Sequence, residues 1–363
     1  MDNVTHTLFG LTLARTPLGR AGRGTTAALL IASNAPDVDI ISAARGGFVS
    51  YLRWHRGPTH GPLGVVGLGV ATAAIVWVFH RGTRKPSASF LMLTAVSMIA
   101  IALHVLMDFP TSYGTRLLSP FDWRWFAVDW MPIVDIYLLM AIGAGLFFGR
   151  GSAAARSRNA ALVLMLMAAN YGVRAAAHHQ ALQLAPRLFG PTLPSPCPNV
   201  TVSTAIVDAW PRRMSSLDPP APARRCLVEM AALPTFFSPF SWRVIAQFSN
   251  AYELHDINLL DARFQGPASE SEVLWRRAVR YPNVWNDAIR RAAATQSAQV
   301  FLGFSRFPAA RSVVERDGSA TVRFSDVRFL TSGFVDEIRR SDPFTVVVRT
   351  SADGRITEEA FGR

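Results

Sequence analysis

Glutamate is missing from the first 179 residues, which hold only seven acids: Asp2, Asp37, Asp39, Asp108, Asp122, Asp129 and Asp135. Cysteine occurs twice in 363 residues, as Cys197 and Cys226. Basic residues before the first apolar run are also absent, since the chain opens Met1-Asp2-Asn3-Val4, so no secretory leader is expected. Each scarcity excludes something. A half-chain so poor in acids lacks an ordinary water-facing surface, and two cysteines rule out a disulfide-rich scaffold. One bridge, Cys197 to Cys226, is possible.

What is present is apolar. Mean hydropathy is +0.21, high for a water-soluble domain. Gly61 to Phe79 and Ser87 to Met107 carry no acidic or basic charge, with His104 the one titratable group in the second. Trp130 to Phe148 carries only Asp135, and Asn159 to Val173 is uncharged up to Arg174. At 1.5 Å per helical residue the first three are long enough to cross ~30 Å of hydrocarbon, and the fourth needs its flanking arginines to snorkel. Thr5 to Thr16 and Thr25 to Ala35 are too short to cross alone and read as a helical pair packed among the spans.

The net charge of +12 does not point to nucleic acid. The first 179 residues hold 15 basic residues, concentrated at Arg15/Arg20/Arg23, Arg81/Arg84/Lys85 and Arg150/Arg156/Arg158, between apolar segments. The positive-inside bias makes these clusters cytoplasmic. His6, Asp37, Asp39, His55, His60, His104 and Asp108 then fall at the outer ends of their segments. The expected architecture is a mainly α membrane domain over residues 1–180, a bundle of about four spans plus the short N-terminal pair. An extracytoplasmic α+β domain over 181–363 follows, mostly antiparallel sheet, in a multi-pass protein of the inner membrane. Its strands are expected over Trp242–Phe248, Tyr252–Leu259, Ser319–Phe329 and Phe344–Arg349, and its helices over Glu270–Tyr281 and Asn283–Thr295.

Several short motifs carry metal-binding chemistry. His104-Val-Leu-Met-Asp108 sets an imidazole and a carboxylate at i and i+4, on one helix face. His55-Arg-Gly-Pro-Thr-His60 brings two histidines together over a Gly-Pro bend, with Thr59 able to cap the helix that follows. Asn34-Ala-Pro-Asp37-Val-Asp39 ends an apolar run and offers two carboxylates that can chelate or bridge a divalent ion. His6 lies near Asn3 and Thr5, either of which can cap the first helix. Each motif also has a plain structural explanation, as a cap, a turn or an interfacial pair. Asp135, alone in an apolar span, needs a partner or a proton, and is expected behind or among the ligands. Asp129 reads as a charge at that helix's start. His80, His178, His179 and His255 lack a comparable setting.

Together, Asn3-Val-Thr-His6, Ala35-Pro-Asp-Val-Asp39, His55-Arg-Gly-Pro-Thr-His60 and His104-x-x-x-Asp108, with Thr111 and Gly114 after it, resemble a bacterial family of inner-membrane-associated metal-dependent hydrolases, formerly a domain of unknown function. The resemblance covers residues 1–180 and extends loosely to Pro239–Val244 and Phe304–Pro308. A fainter likeness joins the series His6, Asp37, His55 or His60, His104 and Asp108 to zinc-dependent phospholipase C, without that family's later His-x-x-x-Glu pair. The His-x-x-x-Asp pair is also similar to membrane phosphatidate phosphatases, but Ser97-Met98 stands where their arginine belongs.

These residues imply a hydrolase using one or two divalent ions, zinc or manganese, to activate water against a phosphoester or other ester of a small-molecule or lipid substrate. Asp37 or Asp39 would act as base or bridge and Arg56 would hold an anionic group. A transporter or metal-handling protein, and a scaffold with a structural metal site, are the competing readings of the same cluster.

Overall fold

The computed structural model describes residues 1–81, 88–148, 151–189, 193–197, 206–211, 225–261, 278–330 and 344–362, which form two compact units. The first comprises Met1–Ala44, Trp54–Ala176 and Pro234–Pro239; the second comprises Arg45–Arg53, Ala177–Leu233 and Phe240–Arg363.

The first unit is helical. Its elements are α1 (Asn3–Ala14), α2 (Thr25–Ala32), α4 (Pro62–Arg81), α5 (Phe90–Asp108), the short strand β1 (Trp125–Ala127), α6 (Ile136–Phe148) and most of α7 (Ala153–Leu184); α3 (Ala43–Trp54) crosses the unit boundary. Asp2, not Asn3 or Thr5, caps α1, its carboxylate accepting from the Thr5 amide at 3.0 Å. Ser89 caps α5 in the same way, through the Met92 amide. A core of Phe9, Leu13, Leu29, Val96, Ile101, Leu138, Ile142 and Met167 joins α1, α2, α5, α6 and α7.

Among the described residues, three helices are long and apolar enough to cross a membrane: Pro62–His80, Phe90–Asp108 and Ala153–Leu188. The bent pair Thr25–Ala32 and Ala35–Trp54 makes a fourth candidate if it is one span. The expected ranking of the later spans is reversed. Trp130 to Phe148 yields only the 13-residue helix α6, about 20 Å long, because Asp135 caps its start through the Leu138 amide at 2.8 Å. The residues before it are held otherwise, with Trp130 and Met131 donating to the Pro110 carbonyl. Asp129, at a positive φ of 61°, therefore does not begin that helix. The marginal Asn159–Val173 run instead lies inside the 32-residue α7.

The second unit contains the short strand β2 (Asp208–Trp210) and is dominated by two antiparallel sheets. One has the order β3 (Leu227–Pro234), β4 (Ser241–Phe248), β5 (Ala251–Asn258), β6 (Val279–Pro282). The other runs β10 (Ile356–Phe361), β9 (Thr345–Thr350), β8 (Ala320–Asp326), β7 (Pro308–Val314). Trp242, Val244, Ala246 and Phe248, every second residue of β4, bury against Ala177 and Ala181 near the end of α7 and Ala185 just after it. Helices α8 (Asp287–Ala293) and α9 (Gln296–Phe304) cover the second sheet through Ile289, Ala292 and Phe301.

The helix expected over Glu270–Tyr281 lies outside the described residues up to 277, and its described end is the strand β6, paired with β5. Pro282 is compatible with that because β6 is an edge strand. Cys197 and Cys226 form a disulfide, with Cα atoms 4.9 Å apart.

Candidate metal centre

Four chain segments bring one end of their structure to the same place. His6 lies in the first turns of α1, and Ser33 ends α2. A 3₁₀ segment, Ala35–Ser42, follows at once and carries Asp37 and Asp39. His60 lies two residues ahead of α4, and His104 and Asp108 end α5. At the other end of α1, Arg15 donates to the carbonyls of Gly145 and Leu146, half-buried acceptors in the last turn of α6. Arg20 binds the Ala153 carbonyl there, and the Arg23 carbonyl meets the Ala88 amide ahead of α5.

Asp37, His60, His104 and Asp108 each offer one ligand atom, all within 4.8 Å of one another, and so form a group that can hold a metal ion. The two Nε2 atoms are 3.3 Å apart. His60 Nε2 is 3.3 Å from Asp108 Oδ2 and 3.8 Å from Asp37 Oδ1, and His104 Nε2 is 3.5 Å and 3.6 Å from the same two oxygens. A tetrahedral ion with ligands about 2.0–2.1 Å away needs edges of about 3.3–3.4 Å. The five separations therefore fit a single ion with shifts of a few tenths of an ångström. Asp108 Oδ2 and Asp37 Oδ2 are buried and accept no hydrogen bond, an arrangement that costs free energy unless a cation or water completes it.

The imidazoles are turned toward this point by bonds on their far sides. His104 Nδ1 lies 2.8 Å from the Ser33 carbonyl oxygen. A carbonyl only accepts, so Nδ1 carries the proton and Nε2 presents its lone pair. His60 Nδ1 is 3.0 Å from Thr59 Oγ1, and that hydroxyl reaches Asp39 Oδ2 at 3.5 Å. Thr59 thus orients His60 and does not cap α4 as expected. Burial pushes the pKa of His60 well below the usual imidazole range, leaving it neutral, the form a metal requires.

The remaining candidates surround the four. Asp108 Oδ1 faces His6 Nε2 at 3.3 Å, Arg56 at 3.0 Å and the Met1 amino group. His6 also stacks on His104 with ring centroids 3.7 Å apart. Asp39 is turned away from the four ligand atoms: it accepts from His55 Nδ1 at 3.1 Å and from the Arg56 amide at 2.7 Å. Burial lowers the His55 pKa, with its Asp39 bond acting against that. Arg56 holds a φ of 48°, rare without glycine, and its guanidinium also binds Thr111 Oγ1 and the Gly114 carbonyl.

Asp135 is in neither group. Its carboxylate pairs with Arg174 of α7 at 2.6 Å and accepts from Asn170, so its partner is a buried arginine and not an ion. Sequence reasoning missed Ser33, whose side chain carries no signal because only its carbonyl is used. Arg174, read as a snorkelling residue, was legible in principle, since a lone acid in one apolar helix calls for a base in another.

The family model described as YdjM inner membrane protein matches residues 1–181, the segment that carries every residue of this centre. The chain is also 31% identical over 149 residues to "Uncharacterized protein YfhP" of Bacillus subtilis (strain 168), an alignment covering 39% of this chain and 44% of that protein. The chain thus spans less than half the length of the curated relative it matches. No solved structure matches.

Proposed function

We propose that this chain is a multi-pass inner-membrane hydrolase that uses a divalent ion of the zinc type, held by Asp37, His60, His104 and Asp108, to cleave an ester or phosphoester at the extracytoplasmic face. The observation that carries this reading is the close spacing of two Nε2 and two carboxylate oxygens, with the imidazole–imidazole and imidazole–carboxylate separations at 3.3–3.8 Å and the tautomer of His104 set from behind by Ser33. Membrane residence rests on the three apolar helices and on the family match. The extracytoplasmic side is supported by Arg15, Arg20 and Arg23 at the opposite end, as the positive-inside bias requires, and by a disulfide in the sheet unit, which suits an oxidising compartment.

A bound divalent ion supplies Lewis acidity, polarising an ester and bringing the pKa of water to about 7. The chain's own groups do the rest. His60, His104 and Asp108 have fully enclosed side chains, whereas that of Asp37 is 14% exposed, so water and substrate enter on the Asp37 side. Asp37 Oδ2, without a hydrogen bond, is the acceptor for the proton of the attacking water. The water oxygen bonds to the acyl or phosphoryl centre, the ester C–O or P–O bond breaks, and the alkoxide leaves with the proton that Asp37 took from the water. Arg56 holds Asp108 in place from the side away from the ligand atoms.

A second reading has support from the same geometry. Four protein ligands complete a tetrahedral shell, the mark of a structural site. Detergent-purified protein should contain one equivalent of transition metal and cleave a phosphodiester, phosphomonoester or carboxylester reporter; protein without stoichiometric metal would falsify the hydrolase reading. Cobalt-substituted protein separates the two cases, because a structural site shows no exchangeable water.

A further inference from the structure

The depth of the centre is set by the helices that carry it. Pro62–His80 and Phe90–Asp108 have 19 residues each, about 28 Å of helix, slightly less than the ~30 Å of hydrocarbon they would cross. Neither has length to spare beyond the bilayer. His60 lies two residues before one of them, and His104 lies one turn inside the other. The ligand atoms therefore fall at the boundary between hydrocarbon and head groups. A dissolved ester would have to leave water to reach them; the ester of a bilayer amphiphile already lies at that level.

The surface beside the centre has matching chemistry. Asp37, the ligand on the open side, is followed by exposed Val38, Ile40 and Ile41, the last two 63% and 62% accessible. Trp54 precedes His55, and its exposed ring meets that of Trp123 edge to face at 5.7 Å. Phe121, two residues from Trp123, is 75% accessible. Indoles gather where membrane meets water, and an apolar patch of this kind beside one polar site would be unfavourable in water alone.

Resting on the hydrolase reading above, we infer that the substrate is a lipid of the outer leaflet, an ester-bearing amphiphile. Its chains stay in the bilayer against Ile40, Ile41, Trp54, Phe121 and Trp123 while its head-group ester meets the Asp37 side of the centre.

Two measurements on the full chain in phosphatidylcholine nanodiscs test this. Lipid brominated near the head end of its acyl chains should quench the part of the tryptophan emission that W54F/W123F loses. Quenching of that part by aqueous acrylamide instead, with none from bromolipid, overturns the inference without any reference to activity. For turnover, dioleoylphosphatidylcholine in the discs is compared with a short-chain analogue of the same head group kept below its micelle concentration. The bilayer lipid should be cleaved faster, and I40S/I41S should slow it about tenfold or more with metal content unchanged. Equal or faster cleavage of the dissolved analogue overturns the substrate class and leaves the hydrolase reading standing. Cleavage of neither by protein that binds metal and cleaves one of the reporters above overturns the substrate class alone; cleavage of neither lipid nor any reporter overturns the hydrolase reading and this inference with it.

Discussion

His104 Nδ1 lies 2.8 Å from the carbonyl oxygen of Ser33, the residue that ends α2. One backbone carbonyl thereby selects the tautomer of a side chain 71 residues away. The candidate metal centre is consequently a property of how α2 meets α5, and its supporting contacts can be tested one by one.

The Asp39–Thr59–His60 chain should behave as an orienting device. Asp39→Ala or Thr59→Val is expected to weaken metal affinity by roughly 10–100-fold, the usual cost of removing a partner behind a ligand. His104→Ala or Asp108→Ala should abolish stoichiometric binding while membrane insertion persists. Competition against a chelating dye reads both; wild-type affinity in D39A would show that Asp39 plays no orienting role.

The Asp135–Arg174 pair, fully enclosed on both sides, should matter for stability and not for the metal. Asp135→Ala leaves a buried guanidinium uncompensated and should cost about 3–5 kcal/mol, whereas D135L/R174L should regain much of it. Thermal unfolding in detergent measures the difference. Loss of metal in D135A at temperatures where the helices remain folded would contradict this assignment.

Gly61 should not tolerate a side chain. A Cβ there would run into the Ser119 carbonyl oxygen, a backbone atom with little freedom to give way. Gly61→Ala is expected to cost about 1–3 kcal/mol through overpacking and to displace the adjacent His60. Lower metal affinity together with a lower melting temperature is the expected pair of results; a variant unchanged in both would mean the loop is not packed as described.

The disulfide should stabilise the sheet unit alone. Its cysteines are 29 residues apart, and removing the bridge with C197S/C226S is expected to cost about 2–4 kcal/mol. Limited proteolysis of the β3–β6 region should accelerate, with metal content unaltered. Protein purified without reductant should show no maleimide-reactive thiol unless it is first reduced.

Some of this was visible before any coordinates. Uncharged runs announced α4 and α5, and alternation with β-branched residues announced β4, β5, β8 and β9. The strand β3 was not legible: Leu227-Val-Glu-Met-Ala-Ala-Leu-Pro234 has no period of two, because most of its residues are buried on both faces. Helix α6 was overestimated because an apolar run fixes no starting point, and the cap at Asp135 does.

Within the candidate centre, residue type and spacing already named candidate ligands: imidazoles and carboxylates at segment ends, and His104 with Asp108 on one face of a helix. Spacing along a chain says nothing about distance across it. That Asp37, His60, His104 and Asp108 share one point, while Asp39 turns back to His55 and Asp135 goes to Arg174, follows from the packing of α1, α2, α4 and α5. A carboxylate chooses among several nearby cations by differences of an ångström, and those are set by side-chain packing between helices, to which no local pattern has access.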